Sequence, residues 1–306
     1  MNQTFIDGES RSASVFPREP GGCQSRLGSD GCESDSLQPL FIVGIHRRCG
    51  SNFVYNVLGL DAQFQGPEPI SEDYLLYSAH LLDEYVSDTA HRWWKKRFDD
   101  PLEYEDVKRS LRRQLGDGML ATLRERIHPE KRLLTKTPDP DNIRHFFDFF
   151  PRAKLVLLLR DGRDVVESSY KSWPSESRAH WTRAWARGAR IILDFVKDAP
   201  QTTLGRYLVL KYEDLLADRS HVERLLTFAG IDPANYPWDQ FESLPIVGSS
   251  VYRGGRDRLH WDPVANAGDF NPLGRWDHWG WWRKREFKRL AGRELIELGY
   301  VANDRW

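Results

Sequence analysis

Cysteine is scarce in this 306-residue chain, neither sign of charge predominates, and no long apolar run occurs. Each scarcity removes a class of function. The three cysteines, Cys23, Cys32 and Cys49, are an odd count without metal-ligand spacing, and two of them fall in a polar segment; this usage suits a reducing cytosol. No stretch approaches the ~18 consecutive apolar residues of a membrane span. The N-terminus lacks the basic, apolar, small-residue order of a secretory signal, so a cytoplasmic protein with no membrane span is expected. A formal net charge of −1 argues against a general polyanion binder such as a nucleic-acid protein, and any positive site must be local.

What is present is enough for a substantial core: 40% hydrophobic residues, 12% of all residues aromatic. Residues 1–37 are rich in Ser, Gly, Asp and Glu and are expected to form a disordered tail. Residues 38–306 are expected to form a single domain. Within it Phe41–Val43 and Ala153–Leu159 read as strands, Arg132–Pro138 as a short strand ending in a turn, and Arg206–Leu215 as a strand running into a helix start; the first two lead through polar or charged turns straight into helices. Such βα units predict an α/β fold with a central parallel sheet, helices on both faces, and ligands at the carboxyl ends of the strands. Residues 74–128 carry helical spacing with few strand signals and read as a helical insertion.

The stretch from Phe41 to Leu58 reads as a buried strand, a tight polar loop and a helix start. Unpaired N–H groups and the positive end of the helix dipole favour an anion there, and Arg47, Arg48, Ser51 and Asn52 add donors. The nucleoside-triphosphate pattern GxxxxGK[ST] fails: after Gly44 the next glycine comes one position late, at Gly50, and Ser51 and Asn52 follow in place of Lys and Ser or Thr. The plain alternative is a strand-to-helix turn with a polar cap.

Downstream, Glu68, Glu72 and Asp73 cluster beside two prolines, and Ser71 is a candidate N-cap for the next helix. Glu72 and Asp73 also suit a first helical turn on dipole grounds alone. Trp93 and Trp94, beside Lys95, Lys96 and Arg97, read as packing in preference to a substrate wall. The tryptophans Trp276, Trp279, Trp281 and Trp282 read as belonging to a closing helix packed on the domain.

Five ordered pieces carry a resemblance. Arg48-Cys49-Gly50-Ser51-Asn52-Phe53, Thr135-Lys136-Thr137-Pro138, the run from Leu159 through Arg160-Asp161-Gly162-Arg163-Asp164 to Tyr170, Lys211-Tyr212-Glu213-Asp214-Leu215, and Gly274-Arg275-Trp276 together resemble the sulfotransferases that use 3′-phosphoadenosine 5′-phosphosulfate (PAPS). The similarity spans roughly residues 39–301. It resembles a soluble, bacterial-type member with motifs like those of carbohydrate and tyrosylprotein sulfotransferases, and it implies a three-layer fold like that of P-loop NTPases. Three departures stand out: Cys49 for Ser or Thr, Asn52 where a hydroxyl is common, and Gly162 for proline.

The resemblance implies transfer of a sulfuryl group from PAPS, without a metal, to a small-molecule, carbohydrate or lipid acceptor through its hydroxyl or amine. Arg48, Cys49, Gly50, Ser51, Asn52 and Phe53 would hold the 5′-phosphosulfate, with the backbone N–H groups of residues 49–53 facing it. Arg160 and Ser168 would hold the 3′-phosphate, Tyr212 would lie near the nucleotide, and Arg253 with Gly254 and Gly255 would close a loop over it or form a plain glycine turn. Lys136 would touch the moving sulfuryl group. Glu72, Glu68 or His46 would act as general base, with Glu72 preferred. A P-loop kinase or hydrolase and a non-catalytic nucleotide-binding module are the alternatives.

Overall fold

The computed structural model describes residues 38–250, 262–265 and 270–306. The tail, with Cys23 and Cys32, and the segment holding Arg253, Gly254 and Gly255 lie outside the described residues.

The continuous apolar runs become strands buried on both faces, which in a parallel sheet requires helical cover on both sides. The strands β1 (Leu40–Gly44), β2 (Phe64–Gln65), β3 (Arg132–Thr137), β4 (Lys154–Leu159) and β5 (Tyr207–Lys211) form one parallel sheet in the order β2-β3-β1-β4-β5. This is the expected α/β architecture with a fifth, two-residue strand that no hydrophobic run announces. Register aligns the strand ends: Val43 pairs with Thr137 on one side and Leu157 on the other, and Leu159 pairs with Lys211. The residues that immediately follow, Pro138, Arg160 and Tyr212, therefore emerge side by side at the carboxyl edge.

Helices α1 (Ser51–Gly59), α2 (Ala79–Thr89), α3 (Pro101–Arg124) and α4 (Phe146–Phe149) precede β4, and α2 with α3 occupies the stretch read as a helical insertion. After β4 come α5 (Gly162–Ser172), α6 (Arg178–Asp198), α7 (Tyr212–Ala217), α8 (Arg219–Ala229), α9 (Trp238–Glu242) and α10 (Trp281–Glu297), with α5 packed on α6 and α6 on α10. The core is rich in phenylalanine, with Phe41 stacked on Phe150 and edge-on to Phe146.

Three expectations fail locally. Ser71 caps nothing, because the chain from 66 to 78 is irregular and α2 starts at Ala79 after Ser78. Asp73 explains why: its carboxylate accepts from Thr135 Oγ1 (2.7 Å), Thr137 Oγ1 (2.8 Å) and the Leu75 N–H (3.0 Å), so this segment is laced to β3 and cannot coil. Trp93 is 71% exposed, so it is not core packing. Of the late tryptophans, Trp279 is buried, whereas Trp281 and Trp282 face solvent.

Candidate active site

The loop between β1 and α1 turns tightly because two of its residues adopt left-handed backbone, Arg48 (φ 72°) and Gly50 (φ 98°). A side chain at Gly50 would overlap the ring of Tyr212, so glycine is required both for the conformation and for the close approach of α7. No side chain caps α1 at Gly50, which leaves its N-terminal turn open to an anion. The loop opens onto a cleft of about 800 Å³.

Of the residues expected at the site, Arg48, Gly50, Ser51, Asn52, Phe53, Glu72, Arg160, Ser168 and Tyr212 line this cleft. Four do not. Cys49 is fully buried beneath the loop, its N–H donates to the His46 carbonyl at 3.2 Å, and burial pushes its thiol pKa up; neither backbone nor side chain offers a donor to the cleft. Glu68 is exposed and away from the cleft walls. His46 is buried, its Nδ1 lies 2.8 Å from the Arg47 carbonyl, and burial lowers its pKa to about 4. Lys136 stands behind the wall and reaches Glu72. The Phe53 N–H is also spent, since it donates to the Gly50 carbonyl at 3.0 Å.

Two groups of side chains define the chemistry. In the first, Glu72 Oε1 accepts from Lys136 Nζ at 3.3 Å and Oε2 from the Tyr74 hydroxyl at 2.9 Å. Burial and the Glu72 carboxylate raise the Tyr74 pKa to about 12, so the phenol stays a donor. The lacing of Asp73 to β3, together with the Asp73 N–H on the Lys136 carbonyl at 3.1 Å, fixes Glu72 at the carboxyl end of β3. Arg47 also lines the cleft.

The second group surrounds Ser168 on α5. Arg48 Nε donates to Ser168 Oγ at 3.1 Å, Arg275 Nη1 donates to the same oxygen at 3.3 Å and to Ser250 Oγ at 2.9 Å, and the two hydroxyls are 3.2 Å apart. Arg160 spans the loops by donating to the carbonyls of Arg48 (2.8 Å) and Pro272 (2.6 Å), with its guanidinium 4.6 Å from the Tyr212 ring centroid. Neither Arg160 nor Arg275 forms an ion pair among the described residues, and the Nε of each is buried without a hydrogen-bond partner there. Burial, then the neighbouring charge of Arg160, lowers the Arg275 pKa to about 10, which still leaves it protonated at neutral pH. Two neighbouring guanidinium groups repel each other, Asp164 and Glu213 offset this without direct ion pairs among the described residues, and an anion between them lowers the remaining cost.

Arg275 is the site residue that sequence reasoning missed as a ligand, although the Gly274-Arg275-Trp276 motif was in view. Buried Asp164 places it by accepting from the Gly274 N–H (3.1 Å) and the Arg275 N–H (2.6 Å). One residue before Ser168, the fully buried Glu167 accepts from Arg178 Nε at 2.5 Å and from Trp279 Nε1 at 2.7 Å, which ties the same loop to α5 and α6. Glu213 accepts from the Asp161 N–H at 2.9 Å and so joins the start of α7 to the turn after β4.

Fold and cleft together define an α/β protein with an arginine- and serine-lined cleft at the carboxyl edge of a parallel sheet. The model of the Sulfotransferase family matches residues 39–235, and the chain belongs to that family. Among solved structures it is similar to the sulfotransferase domain from the curacin biosynthetic pathway (18% identity, 84% of this chain and 96% of that one, TM-score 0.49). It is also similar to the sulfotransferase domain of the Synechococcus PCC 7002 olefin synthase (17%, 84% and 94%, TM-score 0.47) and to mouse sulfotransferase SULT7A1 complexed with PAP (12%, 85% and 87%, TM-score 0.48). No curated protein matches the chain. The family assignment rests on the first finding alone.

Proposed function

We propose that the protein transfers a sulfuryl group from PAPS to an acceptor hydroxyl or amine. The observation that carries this reading is the cluster of buried Arg160 and half-buried Arg275 beside Arg48, Ser168 and Ser250, a cationic, hydroxyl-bearing pocket in which neither Arg160 nor Arg275 forms a direct ion pair among the described residues. A phosphate monoester fits its chemistry, because it supplies the missing charge and accepts from both guanidinium and hydroxyl donors. The 3′-phosphate is the group that separates this donor from ordinary adenylates.

The 5′-phosphosulfate then lies against the open N-terminal turn of α1, where Ser51, Asn52 and Arg48 face it. In the transfer the acceptor oxygen attacks sulfur in line, the sulfur–oxygen bond to the phosphate breaks, and negative charge grows on the departing phosphate. Fixed donors at that turn stabilise this charge as an oxyanion hole does. Glu72 is the general base: it lines the cleft, Lys136 and Tyr74 hold its two carboxylate oxygens, and it takes the proton that the acceptor loses.

Calorimetry with the desulfated nucleotide tests the donor half, and labelled PAPS incubated with candidate acceptors tests the transfer. Tight, 3′-phosphate-dependent nucleotide binding with no transfer to any hydroxyl or amine acceptor would leave a binding module and overturn the catalytic reading.

A further inference from the structure

We propose that the outer face of α10 docks on the surface of an anionic phospholipid bilayer. The inner face of this helix is accounted for: Phe287, Ala291, Leu295 and the adjoining Leu298 are buried, and the helix packs on α6. The outer face has no such cover. Trp282, Arg285, Arg289 and Arg293 recur at intervals of three and four residues and therefore share one stripe. Trp281 is 59% exposed and Trp282 76% exposed, their ring centroids lie 4.5 Å apart, and the Arg285 guanidinium sits 5.1 Å from the ring of Trp281.

Charge complementarity selects the occupant. The whole chain carries a formal charge of −1, yet α10 holds Arg283, Lys284, Arg285, Lys288, Arg289 and Arg293 against Glu286, Glu294 and Glu297, of which Glu294 is paired with Arg190 and Glu297 with Arg293 at 2.6 Å. Arg283, Arg285 and Arg289 engage in no ion pair among the described residues. Exposed Arg183 and Arg190 on the neighbouring α6 extend the same positive face, although Arg190 is paired with Glu294 at 2.7 Å. Such segregation in a nearly neutral chain marks a surface for a polyanion.

The paired tryptophans make that polyanion a lipid surface. Indole rings prefer the boundary between headgroup and acyl chain, where the ring is buried and the N–H stays wet, while the arginines meet anionic headgroups. A soluble polysaccharide polyanion offers the rings no apolar layer. No helix among the described residues is long and apolar enough to cross a membrane, so the contact is peripheral.

The test is flotation of the full chain with phosphatidylcholine vesicles, with and without phosphatidylserine, at low and high salt. The protein should float with the serine-lipid vesicles alone, and salt should release it. Arg285→Gln with Arg289→Gln should weaken partitioning by about fivefold for each charge removed. Trp281→Ala with Trp282→Ala should weaken it severalfold with the circular-dichroism spectrum unchanged, because both side chains are exposed. Failure of the wild-type chain to float, equal flotation on both kinds of vesicle, or a tryptophan double variant that binds like wild type would each overturn the proposal. The last result, combined with equally tight binding to heparin, would make the face a site for soluble polyanions. None of these readouts depends on sulfuryl transfer.

Discussion

Glu72 illustrates how single residues acquire their roles from neighbours. Its two oxygens are held by Lys136 and Tyr74, and its backbone is held by the lacing of Asp73 to β3, so its carboxyl group is fixed on the cleft wall. Glu72→Gln removes the proposed base and retains the shape. Transfer should fall by about a hundredfold to ten-thousandfold, with affinity for the desulfated nucleotide unchanged in calorimetry; equal loss of both would reassign Glu72 to nucleotide binding. His46 supplies a pH prediction. Its pKa is lowered by burial from 6.5 to about 4, so between these values the unfolded chain binds a proton that the folded chain refuses. Stability should therefore rise with pH across that window and be lost on acidification, by about 3 kcal/mol for a shift of this size. Urea unfolding of wild type and His46→Gln at pH 6.5 and near pH 4 checks this: the variant should show the smaller acid loss.

At the scale of elements, the turn after β4 explains a departure from the family pattern. A Cβ at Gly162 would come within 2.5 Å of the Trp185 indole, and that indole donates to the Arg160 carbonyl at 3.1 Å. A bulky Trp185 and a glycine at 162 are thus one solution to packing α5 on α6. Gly162→Ala should destabilise by about 1–3 kcal/mol through overpacking, with partial rescue when Trp185 is also shortened to Leu; thermal unfolding of the single and double variants measures it. Asp164 is a positioning residue for the loop that carries Arg275. Asp164→Ala frees the Gly274 and Arg275 N–H groups and should raise KM for PAPS more than it lowers kcat. Binding of adenosine nucleotides without a 3′-phosphate should be left unchanged, a selectivity that general loss of structure would not produce.

For the molecule as a whole, the parallel sheet and four of its strands were legible because the central strands are buried on both faces and therefore appear as unbroken apolar runs. Phe64–Gln65 was not, since two residues carry no period. Within the site, Arg48, Arg160 and Ser168 could be read from motifs that abut strand ends. Arg275 and Ser250 could not be given roles, because they reach Ser168 from positions 107 and 82 residues away in sequence, on segments without regular structure. The irregular path through Ser71 was hidden for a similar reason: it depends on Asp73 finding two threonines on β3, a contact across more than 60 residues. The exposed tryptophans of α10 were misread because aromatic content alone does not say which face a ring occupies.

The proposed function requires that the pocket around Ser168 hold a 3′-phosphate. Titration calorimetry of the protein with adenosine 3′,5′-bisphosphate and with adenosine 5′-monophosphate measures this directly, in wild type and in Arg160→Ala and Arg275→Ala. The bisphosphate should bind at least about tenfold more tightly than the monophosphate, and each arginine variant should lose most of that preference. Equal affinity for the two nucleotides in the wild-type protein would contradict it.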